Sequence, residues 1–159
     1  MAGHFAREAF VAGTMAAGLA AAPPAAAQDR VSILLGSYHV NSSFNFEEVN
    51  PGAFLTWEGE RFDWSVGGFR NSYGGGSVAA MVGYPVYDWN WGQIALTGGL
   101  ALYPGDGDRF KYNMGDVIPL AGMRATVGNA FVQAFPSDGK STDAIISFGL
   151  TFGLDTSAP

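Results

Sequence analysis

One histidine and one serine are the side chains of this sequence best suited to chemistry. His39 is the only histidine after residue 27, and Ser72 follows it further along the chain. An imidazole base beside a serine hydroxyl is the minimum apparatus for transferring an acyl group. The alternative is a structural or solvated histidine, so the interpretation depends on whether the fold brings the two residues together.

The elements that must position this pair are β-strands. Alternating polarity predicts eight of them, over residues 30–39, 52–58, 60–70, 77–87, 91–103, 116–126, 129–135 and 143–152. Their connections are alternately long and short, which is typical of an eight-stranded antiparallel up-and-down transmembrane β-barrel. His39 ends the first strand and Ser72 follows the third, which runs in the same direction. Both residues are therefore predicted at the rim that carries the long loops.

One face of each strand is apolar. On the last strand Phe148, Leu150 and Phe152 alternate with Gly149 and Thr151, as a lipid-facing strand requires. Aromatic residues cluster near the short turns and predict an aromatic girdle: Trp57, Trp64, Tyr84, Tyr87, Trp89 and Trp91. The alternative is a soluble barrel or sandwich with its apolar face inward, because periodicity alone does not identify the lipid face.

Composition narrows the class of protein. Residues 1–27 are predicted to be a cleavable signal peptide, with an apolar stretch before Ala25-Ala26-Ala27, and residues 28–159 to be the barrel domain. The absence of cysteine excludes disulfides and thiolate metal sites. A net charge of −6 argues against nucleic-acid binding. Only 14% of the residues are charged, against about 25% in soluble domains, which favours a membrane protein.

Several segments in the same order carry a family resemblance. Residues 60–87 resemble the middle of the lipid A palmitoyltransferases (the PagP family), where an aromatic-rich strand ends in Lys-Asp-Ser-aromatic and an Ala-Gly-Tyr-Gly strand follows. The corresponding steps here are Arg70-Asn71-Ser72-Tyr73 and Val82-Gly83-Tyr84-Pro85. Further on, the stretch around Pro119 looks like the family's Leu-Pro-Leu-Ala, and Phe135-Pro136 looks like its Ile-Pro.

The resemblance implies an outer-membrane enzyme that moves a palmitoyl chain from a phospholipid to lipid A, with no cofactor or metal, and we expect a monomer. In that family a His, an Asp and a Ser at the extracellular rim carry the reaction. His39 would then be the base and Ser72 the hydroxyl residue. Asn71 occupies the aspartate position, where an amide can orient the imidazole but cannot supply charge. Asp63, Glu47 and Glu48 are candidate substitute carboxylates.

The resemblance also implies a substrate path. Pro85 stands where the family has a glycine that lets the acyl chain fill the barrel. Pro119 and Pro136 each lack an N–H, so they open the strand ladder and predict a lateral door for a lipid tail. Arg70 is a candidate contact for lipid A phosphates. The functional alternative is a non-catalytic small outer-membrane barrel with a structural or binding role.

Overall fold

The chain forms a closed antiparallel barrel. The computed structural model describes residues 30–137 and 141–154, so the predicted signal peptide lies outside the described residues. The strands are β1 Arg30–Val40, β2 Gly52–Trp57, β3 Asp63–Arg70, β4 Gly76–Trp89, β5 Gly92–Leu102, β6 Val117–Val127, β7 Ala130–Pro136 and β8 Ala144–Gly153. Each pairs with the next, and β8 closes on β1. The predicted all-β, eight-stranded, up-and-down architecture is confirmed.

The connections divide the barrel into two ends. Residues 58–62, 90–91 and 128–129 form the short turns, and Gly128 adopts a φ of 56° in the last of these, a conformation that favours glycine. The longer connections 41–51, 71–75 and 103–116 meet at the other end, together with the described residues between β7 and β8, and we call this end the long-loop rim. Among the described residues, no helix is long and apolar enough to cross a membrane.

One predicted strand start is wrong. β3 begins at Asp63 and not at residue 60, because Glu60 and Arg61 are exposed and belong to the turn. The turn thus extends well beyond Gly59.

The barrel has an apolar outside, and most of its buried polar side chains point inward. On β8, Gly149 and Thr151 are buried, whereas Phe148, Leu150 and Phe152 are exposed to the exterior. The buried polar side chains of the other strands include Ser32, Thr56, Asp63, Ser77, Thr126 and Gln133. An eight-stranded barrel has an interior only wide enough for side chains or one small ligand. In a soluble barrel the large apolar side chains point inward, whereas here many of them point outward.

A β-bulge in β1 directs the side chain of His39 into the barrel. Leu34 pairs with Gly149 and Gly36 with Phe148, so Leu35 is an extra residue in the ladder. A bulge of this kind shifts the alternation of side chains by one position. As a result, His39 is buried while its neighbour Tyr38 is exposed.

The ladder is incomplete at two places near the long-loop rim. β6 pairs with β7 only from Met123↔Ala134 to Val127↔Ala130, so the half of β6 that contains Pro119 has no partner on that side. β1 pairs with β2 only as far as Leu34↔Gly52. There the loop 41–51 takes over, since the Ser37 N–H donates to the Glu48 carbonyl at 2.9 Å.

Candidate functional site

His39 and Ser72 line the same small pocket at the long-loop rim. Its volume is about 20 Å³, and we call it the rim pocket. The sequence prediction placed these two residues at one end of the barrel, and the fold brings them to one concavity there. Strand direction achieves this, because β1 and β3 both end at this rim.

His39 is covered from outside by the first loop. Its imidazole is 7% exposed and stacks on the Phe46 ring with centroids 4.1 Å apart and an interplanar angle of 17°. The Nδ1 atom has no hydrogen-bond partner among the described residues. An imidazole that is held in place by stacking, with a ring nitrogen uncommitted, is able to exchange a proton with a neighbouring group.

Asn71 organises the loop that carries Ser72. Its Oδ1 accepts hydrogen bonds from the N–H groups of Tyr73 at 2.9 Å and Gly75 at 3.0 Å. Its Nδ2 donates to the Ser77 hydroxyl at 2.9 Å. These bonds fix the backbone around Ser72. They do not support the predicted role of Asn71 in orienting His39, because the amide is directed into its own loop.

The three candidate carboxylates lie in different places. Glu47 forms an ion pair with Arg70 at 2.9 Å. Asp63 lies at the short-turn end, 3.3 Å from Arg30. Glu48, in contrast, lies in the loop that covers His39, where its backbone carbonyl accepts a hydrogen bond from the Ser37 N–H. This position makes Glu48 the candidate among the three carboxylates to act electrostatically on the imidazole.

A much larger cavity runs down the barrel axis below the rim. It measures about 410 Å³, within the range of about 300–1,000 Å³ that is usual for ligand pockets, and we call it the interior cavity. Its apolar lining includes Leu34, Phe54, Ala79, Met81, Ile118 and Phe131. Towards the short-turn end the lining becomes polar, where Arg124 donates to the Ser32 hydroxyl at 3.1 Å and lies over the Phe131 ring.

The predicted substrate-path prolines separate into two groups. Pro119 and Pro136 both line the interior cavity; Pro119 lies within the unpaired part of β6, and Pro136 lies on β7 beside it. Gly83 on β4 also lines the cavity, whereas Pro85 is not among the lining residues. Pro85 pairs with Ala95, which does line the cavity, so Pro85 lies at the same level of the barrel. A role of Pro85 in substrate binding stays a prediction.

Sequence reasoning missed the aromatic side chains that enclose the site. Phe46, Tyr73 and Phe110 project from three different loops, and their rings contact one another in series at 5.5 and 6.1 Å. Tyr103 extends the series, 4.9 Å from Phe110. The available signal was the presence of large aromatics within otherwise polar, glycine-rich connections.

Loop carboxylates at this rim organise backbone. Asp116 accepts hydrogen bonds from the N–H groups of Gly105 at 2.9 Å and Gly107 at 3.4 Å. Asp106 pairs with Arg109 at 2.8 Å. Within residues 30–137 and 141–154, no group of three His, Asp or Glu side chains is arranged to hold a metal ion.

Fold and site together define a class: a small closed barrel with an apolar exterior, a ligand-sized interior cavity and a histidine–serine pocket at the rim. No family model matches the chain, and no curated protein matches it significantly.

Proposed function

We propose that this protein is an outer-membrane acyltransferase that moves a fatty acyl chain, palmitoyl by the family resemblance, from a glycerophospholipid to lipid A. One observation carries the proposal: the pocket that contains His39 and Ser72 adjoins an apolar cavity with room for an alkyl chain. An acyl ester needs both features, a polar reactive end and an apolar compartment for its chain.

The exterior of the barrel supports insertion in the outer membrane. Large apolar side chains cover the middle of the outer face, for example Leu96 and Leu100, which are 51% and 49% exposed. Trp64, Tyr87 and Trp91 are also exposed and lie towards the short turns, as an interfacial aromatic girdle requires. In this arrangement the short turns face the periplasm and the long-loop rim faces the cell exterior, with residues 1–27 serving as the secretion signal.

The chemistry follows from the two side chains. His39 accepts the proton of the Ser72 hydroxyl as the oxygen attacks the ester carbonyl of the donor phospholipid. The ester C–O bond then breaks, and the proton passes to the departing lysophospholipid alkoxide. In the second half of the reaction, a hydroxyl of lipid A attacks the acyl group on Ser72. Its proton goes to His39 and then to the departing Ser72 oxygen. Glu48 stabilises the imidazolium electrostatically.

The unpaired edge of β6 provides a path from the bilayer. A strand edge in lipid is tolerated only where it is shielded or lines a cavity. Residues 117–122 meet this condition, since Pro119 lines the interior cavity and removes one unsatisfied N–H. A phospholipid tail can therefore enter between β6 and β7. At the rim, the half-exposed Arg70 can exchange Glu47 for a lipid A phosphate.

The proposal is tested by mass spectrometry of lipid A from cells that express the wild-type chain, His39→Ala or Ser72→Ala. We expect an added acyl mass with the wild type. We expect its rate of appearance to fall about 10²–10⁴-fold in His39→Ala, which is the usual contribution of a general base. Val49→Ala serves as the control, because Val49 is exposed in the same loop as Phe46 and lines neither cavity. Equal acylation of lipid A with His39→Ala and with the wild type would contradict the acyltransferase proposal and favour the non-catalytic alternative.

A further inference from the structure

The rim pocket and the interior cavity share a wall. Tyr103, Phe110, Ser137 and Ile145 line both spaces. Two of these residues are aromatic, and their rings meet edge to face with centroids 4.9 Å apart and an interplanar angle of 71°. The reactive pair and the chain-sized cavity are therefore two compartments divided by the Tyr103–Phe110 pair.

The rim pocket is too small for the reaction on its own. Its volume of about 20 Å³ holds one water molecule or so. An ester carbonyl positioned at Ser72 with its chain in the interior cavity has to pass through the shared wall. Part of this wall must consequently move when an acyl chain is bound.

Of the two rings, Phe110 is the less enclosed, because it packs on the edge of the buried apolar cluster and not inside it. Tyr103 is 9% exposed, packs between Phe69 at 5.9 Å and Phe110, and belongs to the buried apolar cluster of the barrel. Phe110 lies in the loop 103–116 and is half-buried. Its nearest aromatic neighbour on the other side, Tyr73, is 6.1 Å away.

The backbone at Phe110 is held in place, so the ring has to move about its own side-chain bonds. The Phe110 N–H donates to the Gly107 carbonyl at 3.1 Å, and the Phe110 carbonyl accepts from Asn113 Nδ2 at 2.7 Å. The preceding turn is fastened by Asp116. On the other side, the Arg109 guanidinium lies 4.6 Å above the centre of the Tyr73 ring. A change of side-chain rotamer is the low-cost movement that remains.

We propose that Phe110 is a specificity-determining and positioning residue: its ring divides the rim pocket from the interior cavity and turns aside to admit the alkyl chain of an acyl ester whose carbonyl lies at Ser72. That the ligand's alkyl chain belongs to an acyl ester rests on the proposed function. The division into two compartments does not, because it depends only on the shared wall and the two volumes.

The test uses a reaction that needs neither catalysis nor lipid A. The chain contains no cysteine, so Ser72→Cys introduces a single thiol at the rim pocket. In detergent micelles, the thiol is modified with methyl or dodecyl methanethiosulfonate, and both rates are measured in Ser72→Cys with Phe110 retained, Phe110→Ala or Phe44→Ala. Phe44→Ala is the control, because it removes an exposed phenyl ring that lines neither cavity. Phe110→Leu replaces Phe110→Ala if the alanine variant does not give a folded barrel by circular dichroism.

We expect Phe110→Ala to accelerate the dodecyl reaction about tenfold, the factor that corresponds to the cost of displacing a ring from its rotamer. The methyl reaction should keep its rate, and Phe44→Ala should change neither. In addition, the ¹³C-methyl resonance of Met81, a side chain that lines the interior cavity, should shift in the dodecyl adduct and not in the methyl adduct. Met81→Leu assigns this resonance.

An unchanged dodecyl rate in Phe110→Ala, an equal acceleration in Phe44→Ala, or an unshifted Met81 methyl would each overturn the inference. Failure of the proposed function has a different signature, because it would leave these labelling results as expected while lipid A gains no acyl mass.

Discussion

Asn71 illustrates how a site residue can act through the backbone. It is 1% exposed, and its side chain makes three hydrogen bonds within the segment 71–77. At this position the resemblance implies a residue that orients the histidine. In the structure the Asn71 side chain shapes the loop that presents Ser72, while Glu48 lies in the loop 41–51 that covers His39.

We expect Asn71→Ala to loosen this loop. The substitution leaves the part-buried N–H groups of Tyr73 and Gly75 without their acceptor, and each lost hydrogen bond costs about 0.5–1.5 kcal/mol. Asn71→Asp retains the accepting oxygen and should be tolerated better. Amide hydrogen exchange checks this: the Tyr73 and Gly75 amides should exchange faster in Asn71→Ala and remain protected in Asn71→Asp. Unchanged protection in both variants would show that the loop does not depend on this side chain.

At the scale of the strands, the sequence predicted most of the architecture. Alternation with a period of two located all eight strands, because one face of each is apolar and the other is small or polar. It could not show the extra residue Leu35 in β1, since a bulge is visible only in the pairing with β8. That bulge, and not the simple alternation, turns His39 inward.

Pairing between strands also explains what could not be predicted about the cavity. Which residues of β4 line it, Gly83 among them, depends on the packing of their neighbours on β3 and β5, which a single sequence does not show. The cover of His39 by Phe46 and the wall formed by Phe110 depend on loop conformations that carry no periodic signal. Pro119 and Pro136 lie where the pairing of β6 with β7 is absent, and proline lacks the N–H that a ladder needs. The entry of a lipid tail at this place stays a prediction.

The opening between β6 and β7 should be required for entry of a phospholipid donor. Continuing the register of these strands would place Leu120 opposite Ser137. We expect a bismaleimide cross-link between Leu120→Cys and Ser137→Cys to abolish acyl transfer in lipid. The matched control joins Ala125→Cys to Val132→Cys, a pair already in register on the same two strands below the opening. Full activity of the first cross-linked protein would exclude this route.

For the whole molecule, the main physical feature is that large apolar side chains lie on the outer face of the barrel. Among the described residues, sixteen large apolar side chains on the strands are exposed. In water this exposure would be costly, at about 25 cal/mol per Å² of apolar surface. A bilayer would remove that cost. The net charge of −6 and the scarcity of charged residues fit the same arrangement, because few charges are available to cover an exterior in water.

Insertion in a membrane makes a depth-dependent prediction. Leu96 is 51% exposed on the outer face of β5, and Trp91 is 64% exposed in the adjoining short turn. Leu96→Arg should lower the free energy of unfolding by about 2–4 kcal/mol, whereas Trp91→Arg should lower it by about 0–1 kcal/mol. Urea unfolding in lipid vesicles measures both values. If neither substitution changed the free energy of unfolding, the outer face of the barrel would be in contact with water and the prediction would be wrong.

The most direct test of the central claim follows the acyl chain itself. Purified protein in mixed micelles receives a phospholipid with a deuterated palmitoyl chain together with lipid A, and mass spectrometry measures both products. The account predicts one deuterated chain on lipid A for each lysophospholipid formed, and loss of both products in His39→Ala and Ser72→Ala. Release of free deuterated palmitate without acylated lipid A would contradict a transferase, and unchanged products in His39→Ala would contradict the assigned site.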